Sequence, residues 1–348
     1  MKLIDHPDNP IPADAVCGYV KASDGVRLRY AHWPALGPVR HGTVTVLQGR
    51  AEFIEKYFEV ISDLRGRGFA VITFDWRGQG GSDRLTRNPR KGHVSDFGQY
   101  RDDLRTVLKQ VSLAEYPGPH FALAHSTGGA ILLSDTARLR TMLDRAVITA
   151  PLLAFPRSGH EGRLLAPLRF LRKVLSLGRH EEDYSERRMG APSTAIERFA
   201  FPLARLLCLL GLGRTFIPGG KAELHVSFET NLQTSDPARF KRFNEVLRQS
   251  PELGIGAPTI GWVKAAANCM AQLNAREFGP SMKLPSLIVA AGHDRIVSTP
   301  AIEDFCSRTA AAGYLEIPGA AHEILMEKDR YRDQLFAAFD AFIPGKDG

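Results

Sequence analysis

Short continuous apolar runs alternate with segments of helical periodicity along the first half of the chain. Thr43-Val-Thr-Val-Leu-Gln48, Ala70-Val-Ile-Thr-Phe74, Phe121-Ala-Leu-Ala124 and Arg145-Ala-Val-Ile-Thr149 read as strands. Between them, Ile54, Tyr57, Phe58, Ile61 and Leu64 recur at helical spacing over 54–67. Asp96 to Val111 predicts a second helix with Asp96 as its cap, and Ala130 to Leu139 a third. Gly18 to Tyr30 reads as two short strands around the hairpin signal Asp24-Gly25. The central strands are apolar throughout rather than alternating, the pattern of a parallel sheet covered on both faces. From about 152 to 280 the rhythm breaks into helical patterns punctuated by Pro and Gly, with Leu164, Leu168, Leu171 and Leu175 in one stripe beside Arg169, Arg172 and Lys173. It resumes with Leu287-Ile-Val-Ala-Ala291, a helix from Pro300, Tyr314-Leu-Glu-Ile317 and a last helix near 327–342.

The predicted class is therefore α/β, a mostly parallel central sheet with helices on both faces. Residues 1–150 and 281–348 form the core, and 151–280 a helical cap inserted into it. An insertion at that place sits over the carboxyl ends of the strands, where ligands bind in open α/β sheets.

Composition narrows the function classes. A chain of 348 residues with 44% hydrophobic and 24% charged positions is globular and long enough for one large domain with an insertion. The longest apolar run, Leu203 to Leu212, is broken by Arg205 and falls short of the roughly 20 residues of a membrane span. Met1-Lys-Leu-Ile-Asp-His-Pro7 lacks the apolar stretch of a secretion signal. Cys17, Cys208, Cys269 and Cys306 are scattered without metal-like spacing, so reduced thiols in a cytoplasmic protein are expected. The net charge of +7 is not gathered into a nucleic-acid-like tract, and no nucleic-acid partner is expected. The segment 151–220 does hold 11 basic against 6 acidic residues. That excess reads either as a solvated face or as a surface for anionic lipid head groups at the inner face of a membrane.

The chemistry concentrates in Ala124-His-Ser-Thr-Gly-Gly129, where an apolar strand runs into a small-x-Ser-x-Gly turn and a helix follows. That is the context of a nucleophile elbow, with alanine at 124 where glycine is usual. A serine hydroxyl needs a base, and the base needs an orienting acid. Two later loops supply them in the order serine, acid, histidine: Gly292-His-Asp-Arg295 after one strand and Gly319-Ala-Ala-His-Glu323 after the next. Ser126, Asp294 and His322 are thus the candidate catalytic residues. The expected oxyanion donors are the backbone N–H groups of Thr127 and Arg50, with Gly49 letting the backbone approach closely. Gly49, Arg50 and His125 are the candidate substrate-binding positions, and the Arg50 side chain is a candidate contact for a head group. Strand alternation points the His125 side chain away from Ser126. His293, beside the acid, is a rival base; His93 reads as a structural loop residue. Asp75-Trp-Arg-Gly-Gln-Gly-Gly-Ser82 lacks the Gly-Lys-Ser/Thr ending of a phosphate loop and reads as a structural turn beside the site.

Four stretches make the chain similar to the α/β-hydrolase superfamily, and within it to the lysophospholipase and monoacylglycerol lipase branch, grouped with serine aminopeptidase-like hydrolases. They are Gln48-Gly-Arg-Ala-Glu-Phe-Ile-Glu-Lys-Tyr57, Phe74-Asp-Trp-Arg-Gly-Gln-Gly-Gly-Ser82, Arg90-Lys-Gly-His-Val-Ser-Asp-Phe97 and Leu123-Ala-His-Ser-Thr-Gly-Gly129. Gly256-Ala-Pro-Thr-Ile-Gly-Trp262 adds to them. Related lipases often carry histidine where Gln48 stands and methionine where Thr127 stands; neither change removes a backbone donor. The resemblance implies an α/β-hydrolase fold and an acyl-ester hydrolase, free of metal and cofactor, that works through an acyl-enzyme on a lysophospholipid or monoacylglycerol. A small-ester carboxylesterase, an aminopeptidase-like amidase and a non-catalytic scaffold are the other expectations.

Overall fold

The computed structural model describes residues 2–156, 199–224 and 227–343. The leucine stripe at 164–175 lies outside the described residues. Eight strands form one sheet: β1 (Val16–Lys21), β2 (Arg27–Trp33), β3 (Gly42–Leu47), β4 (Phe69–Phe74), β5 (His120–His125), β6 (Arg145–Thr149), β7 (Ser286–Ala291) and β8 (Ala312–Ile317). Their order is β1-β2-β4-β3-β5-β6-β7-β8. The hairpin strands β1 and β2 run antiparallel, and β2 meets β4 antiparallel; every other pairing is parallel.

The apolar strands feed two cores. Successive side chains leave opposite faces, so Phe121 and Leu123 join one core and Ala122 and Ala124 the other. The first core is closed by α1 (Phe58–Gly66) and by the last helix of the chain, through Leu335, Phe336 and Phe339. The second is closed by α2 (Phe97–Val107), whose cap Asp96 accepts from the Gly98 N–H as its sequence predicts, and by α3 (Ser126–Ser134). Helix α3 starts at Ser126 itself, four residues before the apolar periodicity begins. Gly128 and Gly129 carry no helical preference of their own. They are there for space: a Cβ on Gly128 would lie 2.5 Å from the Gln48 carbonyl oxygen, and one on Gly129 2.6 Å from Ile148.

Between β6 and β7 in sequence come α4 (Phe201–Leu209), α5 (Pro237–Gln249) and α6 (Ile260–Leu273). Helix α4 buries only Ala204, whereas α6 packs Trp262, Ala265, Ala266, Cys269, Met270 and Leu273 into the second core. The long helices nearer the C-terminus are α7 (Thr299–Ser307) and α8 (Asp329–Phe342). Among the described residues, no helix is long and apolar enough to cross a membrane.

Buried ion clusters hold the loops at the carboxyl end of the sheet. Arg29 is fully buried and donates to Glu55 at 2.8 Å and to Asp75 at 2.7 Å. Asp75 also accepts from the Ile54 N–H at 2.9 Å and the Gly81 N–H at 2.7 Å. The glycine-rich segment after β4 is therefore a structural turn, tied down by its own first residue. Paired carboxylates of this kind stabilise only while ionised and partnered.

A second cluster clamps α5 to the core. Glu59 on α1 accepts from Arg239 at 2.5 Å and Arg332 at 2.8 Å, and also from Arg242. Burial opposes its charge, but the three guanidinium groups outweigh burial and lower its carboxyl from 4.5 to about 2. Between those two values the unfolded chain binds a proton that the folded chain refuses. Stability from Glu59 is thus complete above about pH 4.5 and is lost as pH falls toward about 2. Glu59→Gln is expected to flatten the acid limb of a plot of thermal midpoint against pH, and to lower the midpoint near neutrality. An unchanged acid limb in that variant would show that the cluster contributes nothing.

Candidate active site

Strand β5 ends at His125, and the backbone then turns through Ser126 with φ +51. A single left-handed residue between a strand and a helix lifts the side chain above the sheet edge. Parallel strands β7 and β8 end on the same rim, so the loops after them meet the elbow. Asp294 Oδ1 accepts from the Ile296 and Val297 N–H groups at 2.8 and 2.9 Å, which fixes the carboxylate. Its Oδ2 lies 2.7 Å from His322 Nδ1, and His322 Nε2 lies 3.0 Å from Ser126 Oγ. The three residues named from chain order are in contact. His293 is exposed and meets Arg295 instead. His93 bonds through Nδ1 to Thr259 Oγ1 at 2.8 Å, joining the 90–94 loop to the cap residue of α6, as its structural reading requires.

The residues of the two expected oxyanion donors line the same cavity as Ser126. Thr127 is in the first turn of α3, where backbone N–H groups have no partner within the helix. The Arg50 N–H has no partner among the described residues. Ala51 turns the chain back with φ +63, and Gly128 lets α3 press against the carbonyl end of β3. The backbone of Gly49 is otherwise engaged: its N–H donates to Glu52 Oε2 at 2.5 Å and its carbonyl accepts from Gln79 Nε2 at 3.0 Å. The contribution of Gly49 to the cavity wall is space rather than a hydrogen bond.

The placement of His125 differs from the expectation. Its side chain does not leave the site. The ring packs 4.8 Å from the His322 ring and lines the same cavity. Alternation fails here because the left-handed Ser126 interrupts the extended backbone that alternation assumes. His125 Nδ1 contacts Thr149 Oγ1 at 3.1 Å, and burial pushes its imidazole down to about 3, so the ring is neutral. It walls the site without adding charge beside His322.

A group that sequence reasoning missed joins the 49–52 turn to the loop that carries His322. Lys56 Nζ donates to Glu52 at 2.8 Å and to Glu323 at 2.6 Å, and Tyr57 donates to Glu52 at 2.7 Å. Two carboxylates share one ammonium. Burial opposes the charge on Glu52, yet Lys56 holds its carboxyl down at about 2, while burial pushes Glu323 up. Glu52, His125 and Glu323 bring their ligand atoms within 4.8 Å of one another, a donor set that suits a cation. The Lys56 ammonium already provides that cation. The cluster braces the 49–52 turn against the loop that carries His322.

These residues open onto a cavity of about 570 Å³. Its polar lining includes Ser126, His322, Thr127, Arg50 and Gln233; much of the rest is apolar, with Leu152, Phe155, Phe201, Leu207, Trp262 and Ile296. Helix α4 supplies much of that wall. A serine beside a histidine–carboxylate pair, at one end of a largely apolar cavity, is an arrangement suited to acyl transfer.

Residues 38–329 match the family described as Serine aminopeptidase, S33. The chain belongs to this family. Among its relatives within reach, this serine aminopeptidase-family chain is 30% identical over 330 residues to lysophospholipase L2 of Escherichia coli K12, covering 92% of the chain and 85% of that protein. It is 27% identical over 326 residues to the probable lysophospholipase L2 of Haemophilus influenzae, covering 93% and 91%. In structure it is similar to a soluble variant of monoglyceride lipase from Saccharomyces cerevisiae solved with a substrate analog, with TM-score 0.67, 19% identity and coverage of 95% and 96%. A thermostable carboxyl esterase from Bacillus coagulans gives TM-score 0.62 at 18% identity, with coverage of 96% and 100%. The sheet and helices are thus those of an α/β-hydrolase.

Proposed function

We propose that this chain is a serine hydrolase that cleaves the acyl ester of a single-chain lipid, a lysophospholipid or a monoacylglycerol, with Ser126 as nucleophile, His322 as base and Asp294 as orienting acid. The observation that carries the reading is the contact series Asp294–His322–Ser126 at the polar end of an apolar cavity. The names of the curated relatives support the same chemistry.

His322 Nε2 takes the Ser126 proton as Oγ attacks the ester carbonyl. The oxyanion forms between the Arg50 and Thr127 N–H groups. His322, now an imidazolium held by Asp294, returns the proton to the departing alcohol. Water enters, His322 takes its proton, and the acyl-enzyme is hydrolysed. The segment inserted between β6 and β7 acts as a cap that selects substrates, through α4 and the apolar residues it lends to the cavity. The buried imidazole of His125 and the carboxylate pair around Lys56 keep the loops in register while this happens.

A panel of single-chain lysophospholipids, monoacylglycerols, short p-nitrophenyl esters and aminoacyl amides tests the reading. The expected result is a kcat/KM that rises with acyl length and is highest on a lipid ester. Preference for acetyl or butyryl esters would assign the chain to small-ester hydrolysis, and preference for aminoacyl amides to peptidase chemistry; either overturns the proposal.

A further inference from the structure

We propose that the Arg50 side chain forms an anion subsite that receives the phosphodiester of the substrate, so that lysophospholipids are preferred over uncharged monoacylglycerols. This inference rests on the acyl-ester reading above and names the head group within it.

Arg50 lines the cavity and keeps part of its surface open to it. Its one hydrogen bond among the described residues runs from Nη2 to the Gly256 carbonyl at 2.6 Å. Its Nε is buried and has no partner. The guanidinium lies over the Trp262 ring, 5.3 Å from the centroid. A Cβ on Gly92 would sit 2.4 Å from Nη2, so the missing side chain at that position makes room for the guanidinium. The site is built from Gly92, Gly256 and Trp262, which the sequence places in two separate motifs.

Among the described residues, no carboxylate neutralises it. Among the described residues, the buried arginines all meet carboxylates: Arg29 pairs with Glu55 and Asp75, Arg77 with Asp103 and Asp24, Arg65 with Asp14, and Arg332 with Glu59 and Asp63. Arg84 also lacks a carboxylate, but it is satisfied by the carbonyls of Gly78, Gly80, Glu252 and Leu253. The two glutamates that line the cavity, Glu52 and Glu323, are both bound to Lys56. Burial pushes the Arg50 guanidinium down to about 10, which leaves it cationic at neutral pH. A buried charge with unfilled donors is costly, and a bound anion removes the cost. The planar fork suits a phosphate, which accepts two parallel N–H bonds.

Covalent geometry agrees with this assignment. The Arg50 backbone N–H is the expected oxyanion donor. The same number of bonds separates that nitrogen from the Arg50 guanidinium carbon as separates the ester carbonyl carbon from phosphorus in a 1-acyl glycerophospholipid. A lipid whose carbonyl oxygen meets the backbone N–H can therefore extend its phosphate along the side chain of the same residue. A fatty-acid carboxylate carries the same charge, but it forms at Ser126 and cannot reach the fork while it lies there.

Binding of ether lipids, which cannot be hydrolysed, tests this on the full chain by titration calorimetry. The probes are 1-O-hexadecyl-glycero-3-phosphocholine, 1-O-hexadecylglycerol and palmitate. The phosphate lipid is expected to bind about tenfold or more tighter than the uncharged one, and Arg50→Met to remove most of that difference. Arg50→Lys should recover part of it, because charge remains without the fork. Gly92→Ala, which crowds the guanidinium, should reproduce the selective loss and serves if Arg50→Met does not fold. Equal losses for the phosphate and uncharged lipids in these variants would overturn the inference. So would a loss for palmitate as large as that for the phosphate lipid, which would assign the site to the product. If neither ester class is hydrolysed by the wild type, the acyl-ester reading fails, whereas the binding difference still decides the role of Arg50.

Discussion

Ser126→Ala is expected to lower kcat/KM on the preferred lipid ester by at least about 10⁴-fold, leaving only what the oxyanion donors and binding supply. The substitution removes one oxygen and little else. Ser126 already holds φ +51, and alanine in that left-handed position has much the same steric cost. The variant should therefore melt close to wild type and still bind lipid, and reaction with a fluorophosphonate probe should disappear. His322→Ala belongs with it: the two groups act as one unit, so the double variant is expected to be scarcely worse than either single one. Steady-state kinetics beside a thermal melt distinguishes lost chemistry from lost folding.

Asp294→Asn is expected to lower kcat by roughly 10⁴-fold while the fold stays intact. The reason lies in the two hydrogen bonds that fix the carboxylate. Oδ1 accepts from the Ile296 and Val297 N–H groups, so an asparagine oxygen takes that place and its NH2 faces His322. A donor opposite Nδ1 puts the imidazole proton on Nε2, the atom 3.0 Å from Ser126 Oγ, and that nitrogen can no longer accept. Activity and fluorophosphonate labelling should fall together. Near-normal turnover in this variant would remove Asp294 from the series.

The residues proposed to react were legible because each lies just past a strand end, and parallel strands share one rim. Ser126, Asp294 and His322 needed only chain order and the apolar runs before them. The turn at Asp75–Ser82 could be read from the missing Gly-Lys-Ser/Thr ending of a phosphate loop. Three features could not. Lys56 and Glu323 meet across 267 positions of sequence, and no local pattern marks such a pair. The nearest available signal was Glu52 and Lys56 four residues apart in the motif after Gln48, a spacing shared by many exposed helical pairs. Alternation puts His125 on the wrong side because the extended backbone it assumes ends before Ser126. The start of α3 was placed late because Gly128 and Gly129 weaken the helical pattern at the point where close approach to Leu47 and Gln48 demands them.

The same contrast explains Arg50. As a residue after a strand-end glycine, it could be assigned a backbone role from sequence alone. The state of its side chain, stacked on Trp262 and without a carboxylate among the described residues, depends on residues more than two hundred positions away.

The central claim is that an acyl group passes through Ser126, and its most direct test is to catch that group there. Wild-type protein is mixed with a slowly deacylating lipid ester, quenched in acid within the first turnover and digested for mass spectrometry. The expected result is one acyl group per chain, carried by the peptide containing Ala124-His125-Ser126-Thr127-Gly128 and absent in Ser126→Ala. An acyl group on any other residue, or steady turnover with Ser126 never acylated, would contradict the account.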